Sequence, residues 1–142
     1  MTKSIQHRLF YPHPPKAVWE YLTKPELMEQ WLMKNDFQPI LGVDFQFRTN
    51  PIPSMDFDGI FYCKVLDIVP FQRLSYSLKG GPGDGKINLD SIVVWRLQPK
   101  DGGTELALEH DGFKEVENFA IFNGMNEGWL KNMKKIAQLL NS

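Results

Sequence analysis

The stretch ENFAIFNGMNEGWLKNMKKIAQLL, residues 117–140, decides the fold. In it Phe122, Met125, Trp129, Met133, Ile136 and Leu140 recur at intervals of 3, 4, 4, 3 and 4 residues. That spacing draws one apolar stripe along a helix of about six turns. Asn123, Glu127, Lys131, Lys134 and Lys135 fall mostly on the opposite side. Glu115 and Glu117 near the start, with lysines near the end, follow the order that a helix dipole favours. An apolar stripe of this length needs a surface to cover it, and the preceding residues supply one because they read mostly as strands.

Ser4 to Tyr11 reads as a first strand, with Ile5, His7, Leu9 and Tyr11 on one face. Pro12, Pro14 and Pro15 end it. Proline is tolerated in a first helical turn, so a short helix opens there and runs through Thr23, burying Val18, Tyr21 and Leu22. Thr23 and Glu26 have the spacing of a capping box, which starts a second short helix ending near Trp31. From Phe37 the period changes to two. Val43, Phe45 and Phe47 alternate with Asp44, Gln46 and Arg48 in a half-buried strand. Gly59 to Val69 is the next, with Phe61, Cys63 and Val65 inward; Leu66 and Ile68 are out of phase, which calls for a bulge near Val65 to Asp67. Arg73 to Lys79 turns Leu74, Tyr76 and Leu78 to one face. Leu89 to Leu97 carries Leu89, Val93, Trp95 and Leu97 on one face and Ile92, Val94 and Arg96 on the other, the pattern of a strand covered on both sides. Asp101-Gly102-Gly103 is a hairpin turn signal, and Thr104 to His110 follows with Leu106 and Leu108 inward. The class is therefore α+β: a curved antiparallel sheet of about six strands around a long C-terminal helix, with two short helices after strand 1. No repeat or linker interrupts residues 1–142, which form a single domain.

Sixteen basic against seventeen acidic residues give a formal charge of -1, with no electrostatic footprint for nucleic acid or an anionic membrane. One cysteine, Cys63, rules out an internal disulfide and suits a reducing compartment, so a cytoplasmic location is expected. Aromatic residues make up 13% of the chain, enough either for a large-residue core or for an aromatic-lined pocket.

Several stretches invite a chemical reading. Gly80 to Lys86 fits the first seven positions of a phosphate-binding loop, but Ile87 stands where a Ser or Thr should meet magnesium, and strand-like rather than helical sequence follows. His7, His13 and His110 have no metal-ligand spacing, and no cofactor motif is present. His110 beside Asp111 reads first as a structural histidine at a strand end, then as a polar group in a pocket; no serine or cysteine is visibly poised as its nucleophile. Asp56 and Asp58 lack the other oxygen ligands of a calcium loop, and Cys63 reads as an inert buried thiol. Gly124 and Gly128 each weaken a helix by about 0.5–1 kcal/mol relative to alanine. Close packing, a bend, or a cavity roofed by the helix would each account for them.

Five short motifs occur in order. They are Trp31 after two short helices, Val69-Pro70-Phe71-Gln72-Arg73-Leu74, Gly102-Gly103-Thr104, His110-Asp111-Gly112-Phe113, and Gly128-Trp129 in the last helix. In this series the chain resembles the START-like superfamily, within the group named for the activator of Hsp90 ATPase. The resemblance implies a helix-grip fold, in which a strongly curved sheet grips the C-terminal helix and leaves an apolar cavity between them. It also implies a small hydrophobic molecule as partner, with a protein partner such as a chaperone as the alternative and a cyclase- or hydrolase-like enzyme as the second. On the first reading Phe45, Phe47, Phe61, Tyr76 and Trp95 line the cavity from the sheet, and Phe122, Met125 and Trp129 from the helix. Tyr62 or His110 would orient a polar group. No paired acid and base stands out, so catalysis is not expected.

Overall fold

The computed structural model of the protein describes residues 2–114 and 118–141. Strand β1 (Thr2–Tyr11) leads into helices α1 (Pro15–Thr23) and α2 (Pro25–Trp31). Six strands follow: β2 (Lys34–Asn35), β3 (Asp44–Arg48), β4 (Ile60–Val69), β5 (Arg73–Gly80), β6 (Leu89–Lys100) and β7 (Gly103–Lys114). Helix α3 (Phe119–Leu140) closes the chain. All seven strands form one antiparallel sheet in the order β1-β7-β6-β5-β4-β3-β2. This is the long helix on an antiparallel sheet expected from the periodicity, and the helix-grip arrangement that the family resemblance implies. The two-residue edge strand β2 is too short for periodicity to register.

Period-two alternation sets the inner face. Phe45 and Phe47 on β3, Phe61, Cys63 and Val65 on β4, Leu74, Tyr76 and Leu78 on β5, and Val93 and Trp95 on β6 are all buried. The β4 bulge falls where the phase of the sequence demands it. Val65 pairs with Tyr76 and Asp67 with Ser75, so Leu66 is the extra residue; it is left exposed while Ile68 is turned back toward the core. Asp101 and Gly102 both take positive φ, 48° and 78°, and form the two-residue turn that fixes the β6–β7 register. A second bulge lies at the end of β7. Gly112 has φ 115°, and a Cβ there would meet the Asp90 carbonyl oxygen at 2.7 Å, so the position requires glycine.

Three local expectations change. Thr23 does not cap α2: its Oγ1 donates to the Trp19 carbonyl one turn back (2.8 Å), and Lys24 is the N-cap. β6 is not covered on both sides, since Ile92 is 45% exposed on the outer face. In α1 it is Trp19 that is buried beside Val18 and Leu22, while Tyr21 is only partly covered. Glu115 and Glu117 lie outside the described residues, and α3 starts at Phe119.

Helix α3 is fastened along β1 by side chains that reach its main chain. His7 Nε2 donates to the Asn126 carbonyl (2.9 Å) and the Tyr11 hydroxyl to the Met133 carbonyl (2.7 Å). Tyr11 is fully buried, and burial pushes its phenol well above the usual range, so it stays a neutral donor. Replacing Tyr11 by Phe should lower the unfolding free energy by about 1 kcal/mol, the net worth of one buried hydrogen bond. Urea titration should show a reduced midpoint at unchanged slope.

Candidate functional site

Burial along α3 is uneven, and the unevenness defines a recess. Ile121, Trp129, Met133 and Ile136 are buried against the sheet. Gly124, Met125, Gly128 and Asn132 instead border a hollow of about 160 Å³. Leu32 and Met33 after α2, Ile52 and Met55 around a 3-10 turn (Pro53–Met55), and Phe61 and Leu78 of the sheet complete its wall. The two helix glycines do different things there. The Met55 methyl occupies the space a side chain at Gly124 would need, so Gly124 is a packing site. At Gly128 an added Cβ would meet no atom within 4 Å; it would project into open space.

The ten residues singled out from sequence do not share one environment. Phe61, Met125 and Trp129 line the recess. Phe45, Phe47, Tyr76 and Trp95 are buried and turned on neighbouring rings: Phe45 lies 5.3 Å from Phe47 and 5.4 Å from Tyr76, edge to face, and Trp95 packs on Trp31 and Trp129. Trp95 Nε1 donates to the Tyr76 hydroxyl (3.1 Å). Phe122 packs edge to face against Phe113, and the Lys3 ammonium lies over its ring. Tyr62 is corrected: strand alternation turns it to the outer face, 45% exposed, away from the helix. Ile52, Met33, Met55 and Asn132 were not read from the sequence as lining. Asn132 had a signal, since it stands seven residues, or two helical turns, after Met125.

His110 is fully buried, and both ring nitrogens are engaged. Trp129 Nε1 can only donate, so the 2.9 Å bond to His110 Nδ1 makes that nitrogen an acceptor. In the neutral ring the proton then sits on Nε2 and is donated to Ser91 Oγ at 2.8 Å; the Ser91 hydroxyl in turn donates to the Leu78 carbonyl (2.8 Å). Burial lowers the His110 pKa to about 3, the nearby Asp111 opposing it weakly. A serine does lie beside the histidine, which was not read from the sequence, but it is not poised as a nucleophile. The register signal was present, because counting back from the Asp101-Gly102 turn pairs His110 with Val93, two residues from Ser91 on the same face. The proton placement is the reverse of that in a nucleophilic pair, where the imidazole must accept from the hydroxyl. The relay joins helix, β7, β6 and β5 and leaves no lone pair on His110 for a substrate.

The phosphate-loop reading stays rejected: Gly80 ends β5, and Gly83 to Lys86 closes a tight turn. Asp58 Oδ1 accepts the Ile60 amide (3.0 Å), a turn-stabilising role. Among the described residues no group of three His, Cys, Asp or Glu is arranged to hold a metal, and no helix is long and apolar enough to cross a membrane.

A curved sheet closed by a long helix, with a recess beneath that helix, is the architecture of a helix-grip protein. The sequence matches the family described as Activator of Hsp90 ATPase homolog 1-like protein over residues 12–141, and the chain belongs to that family. Protein MLL2253 from Mesorhizobium loti is 33% identical, with a TM-score of 0.87 over 98% of this chain and 97% of that one. The Mll3558 protein from Rhizobium loti, at 20% identity, shares the fold with a TM-score of 0.79 over 97% and 96% of the two chains. So does the Aha1 dimer from Colwellia psychrerythraea, at 17% identity and a TM-score of 0.78, again over 97% and 96%. A sequence comparison with curated proteins finds no match.

The buried imidazole carries a pH signature. Folded His110 titrates near 3 and an unfolded histidine near 6.5, so between those values the unfolded chain binds the extra proton. His110 should therefore lower stability as pH falls through that window, by up to about 1.4 kcal/mol per pH unit, and have no pH effect above it. Unfolding free energies of wild type and His110→Gln from pH 4 to 8 should converge toward acid, and a constant difference would refute the assignment.

Proposed function

We propose that the protein binds a small hydrophobic molecule in the recess under α3 and performs no chemistry on it. The observation that carries this reading is Gly128. A glycine inside a helix is destabilising by about 0.5–1 kcal/mol relative to alanine, and close packing usually explains it. At Gly128 nothing packs in the vacated space, and the space belongs to an apolar hollow. Retaining glycine there keeps the hollow open at a cost in helix stability.

Volume limits the ligand. About 160 Å³ is close to the roughly 150 Å³ apolar cavity that accepts benzene in an engineered protein, and it is below the ~300 Å³ at which drug-sized sites begin. A single ring or a short alkyl chain fits; a sterol would need the wall to move. Met33, Met55 and Met125 are the side chains able to yield, being unbranched and flexible. The aromatic cluster of Phe45, Phe47, Tyr76 and Trp95 contributes to this site as its rigid backing. The non-catalytic part of this reading is supported by His110, whose nitrogens are both committed, and by a lining that offers no nucleophile or ionisable group.

Native mass spectrometry of gently purified protein, followed by solvent extraction, should return a bound compound of one-ring size. Gly128→Leu should abolish that co-purification, and thermal melting should show the variant as stable as wild type or more so, because it fills space and restores helix propensity. Loss of stability in Gly128→Leu would mean that the hollow is already filled. A clean unliganded mass, combined with stimulation of a chaperone ATPase by the purified domain, would replace this reading with that of an interaction module.

A further inference from the structure

The recess has one polar side chain. Every other lining residue is apolar or glycine, and the single polar atom of Trp129 is already bonded to His110. Asn132 is half-buried, and its amide makes no hydrogen bond to any described residue. Its place on α3 is not arbitrary. Gly124, Gly128 and Asn132 follow one another at four-residue spacing, one stripe of the helix, and Asn132 lies two turns beyond Met125 on the same side. With no side chain at Gly128, the recess continues along this stripe of the helix as far as Asn132.

Resting on the recess being a binding site, we infer that its ligand is an uncharged molecule of single-ring size with one hydrogen-bonding group, and that Asn132 is the residue that selects it. A primary amide offers two donors and an acceptor, so it serves a ketone, an amide or a hydroxyl equally. It does not neutralise a charge. No ionisable side chain borders the recess, and an ion carried into it would be desolvated without a partner. Charged groups occur next door, in the groove beyond Met33 lined by Glu29, Lys34 and Arg48. A molecule that required them would sit outside the apolar hollow rather than within it.

Calorimetric titration with ethylbenzene, acetophenone and benzoate, three probes of one size and different polarity, tests the assignment on wild type, Asn132→Leu and Gly128→Leu. Leucine at position 132 keeps the volume and removes the amide. Acetophenone should bind wild type about fivefold more tightly than ethylbenzene, the worth of one neutral hydrogen bond. That preference should vanish in Asn132→Leu while ethylbenzene still binds, which also shows that the variant is folded. Equal affinities in wild type, a preference that survives Asn132→Leu, or benzoate as the tightest probe would each overturn the role of Asn132. If ethylbenzene binds and Gly128→Leu abolishes it, the recess stands as a site whatever Asn132 does. If no probe binds wild type, the binding reading itself falls, and this inference with it.

Discussion

The structure depends on one hydrogen bond, from the indole N–H of Trp129 to Nδ1 of His110. An indole can only donate, and burying its N–H unpaired would cost about 1–3 kcal/mol. Satisfying it requires a neutral imidazole at one position on β7, in the tautomer whose single N–H, on Nε2, is donated to Ser91 Oγ. That requirement sets the rotation of α3 about its own axis. Once Trp129 faces His110 and meets Trp95 edge to face, Met133 and Ile136 are carried onto the sheet, and Gly124, Gly128 and Asn132 are carried to the side where the sheet has curved away. His7 and Tyr11 then hold the same rotation from the β1 side, each through a carbonyl of the helix.

Two kinds of aromatic residue follow from this geometry. Rings that meet other rings edge to face, such as Phe45 and Tyr76, gain both burial and quadrupole attraction and fill the centre. Rings at the margin of the helix meet no such partner on one side. Phe61 and Trp129 border empty volume, and thioethers rather than further rings complete the wall. The recess is the space left where the edge-to-face packing ends.

The fold was legible because it rests on periodicity. A 3.6-residue stripe ending in Leu140 and a succession of two-residue alternations are local signals, as are the β4 bulge and the Asp101-Gly102 turn. The site was legible only in part. Phe61, Met125 and Trp129 could be named from the faces they occupy, but the chain does not say which of the inward residues touch each other and which touch a void. That is a property of sheet curvature, which no short window encodes. Tyr62 was misplaced for a simpler reason: it was taken for a polar handle although alternation with Phe61 sends it outward. Met55 and Ile52 sit in a loop whose path over the helix has no periodic signature at all.

The order of the strands separates the beginning of the chain from its destination. β1 is an edge strand whose one strand neighbour is β7, so Tyr11 waits for Thr104 and Thr2 for Lys114. Strands β3 to β7 form a meander in which each pairs with the next, a topology that can assemble as it leaves the ribosome. The first strand made is thus the last able to pair, and until the β6–β7 hairpin exists its apolar face, Ile5, Leu9 and Tyr11, has no sheet to join. Within this domain β1 therefore cannot enter the sheet before β7 exists, and its edge is completed by α3, which receives His7 and Tyr11.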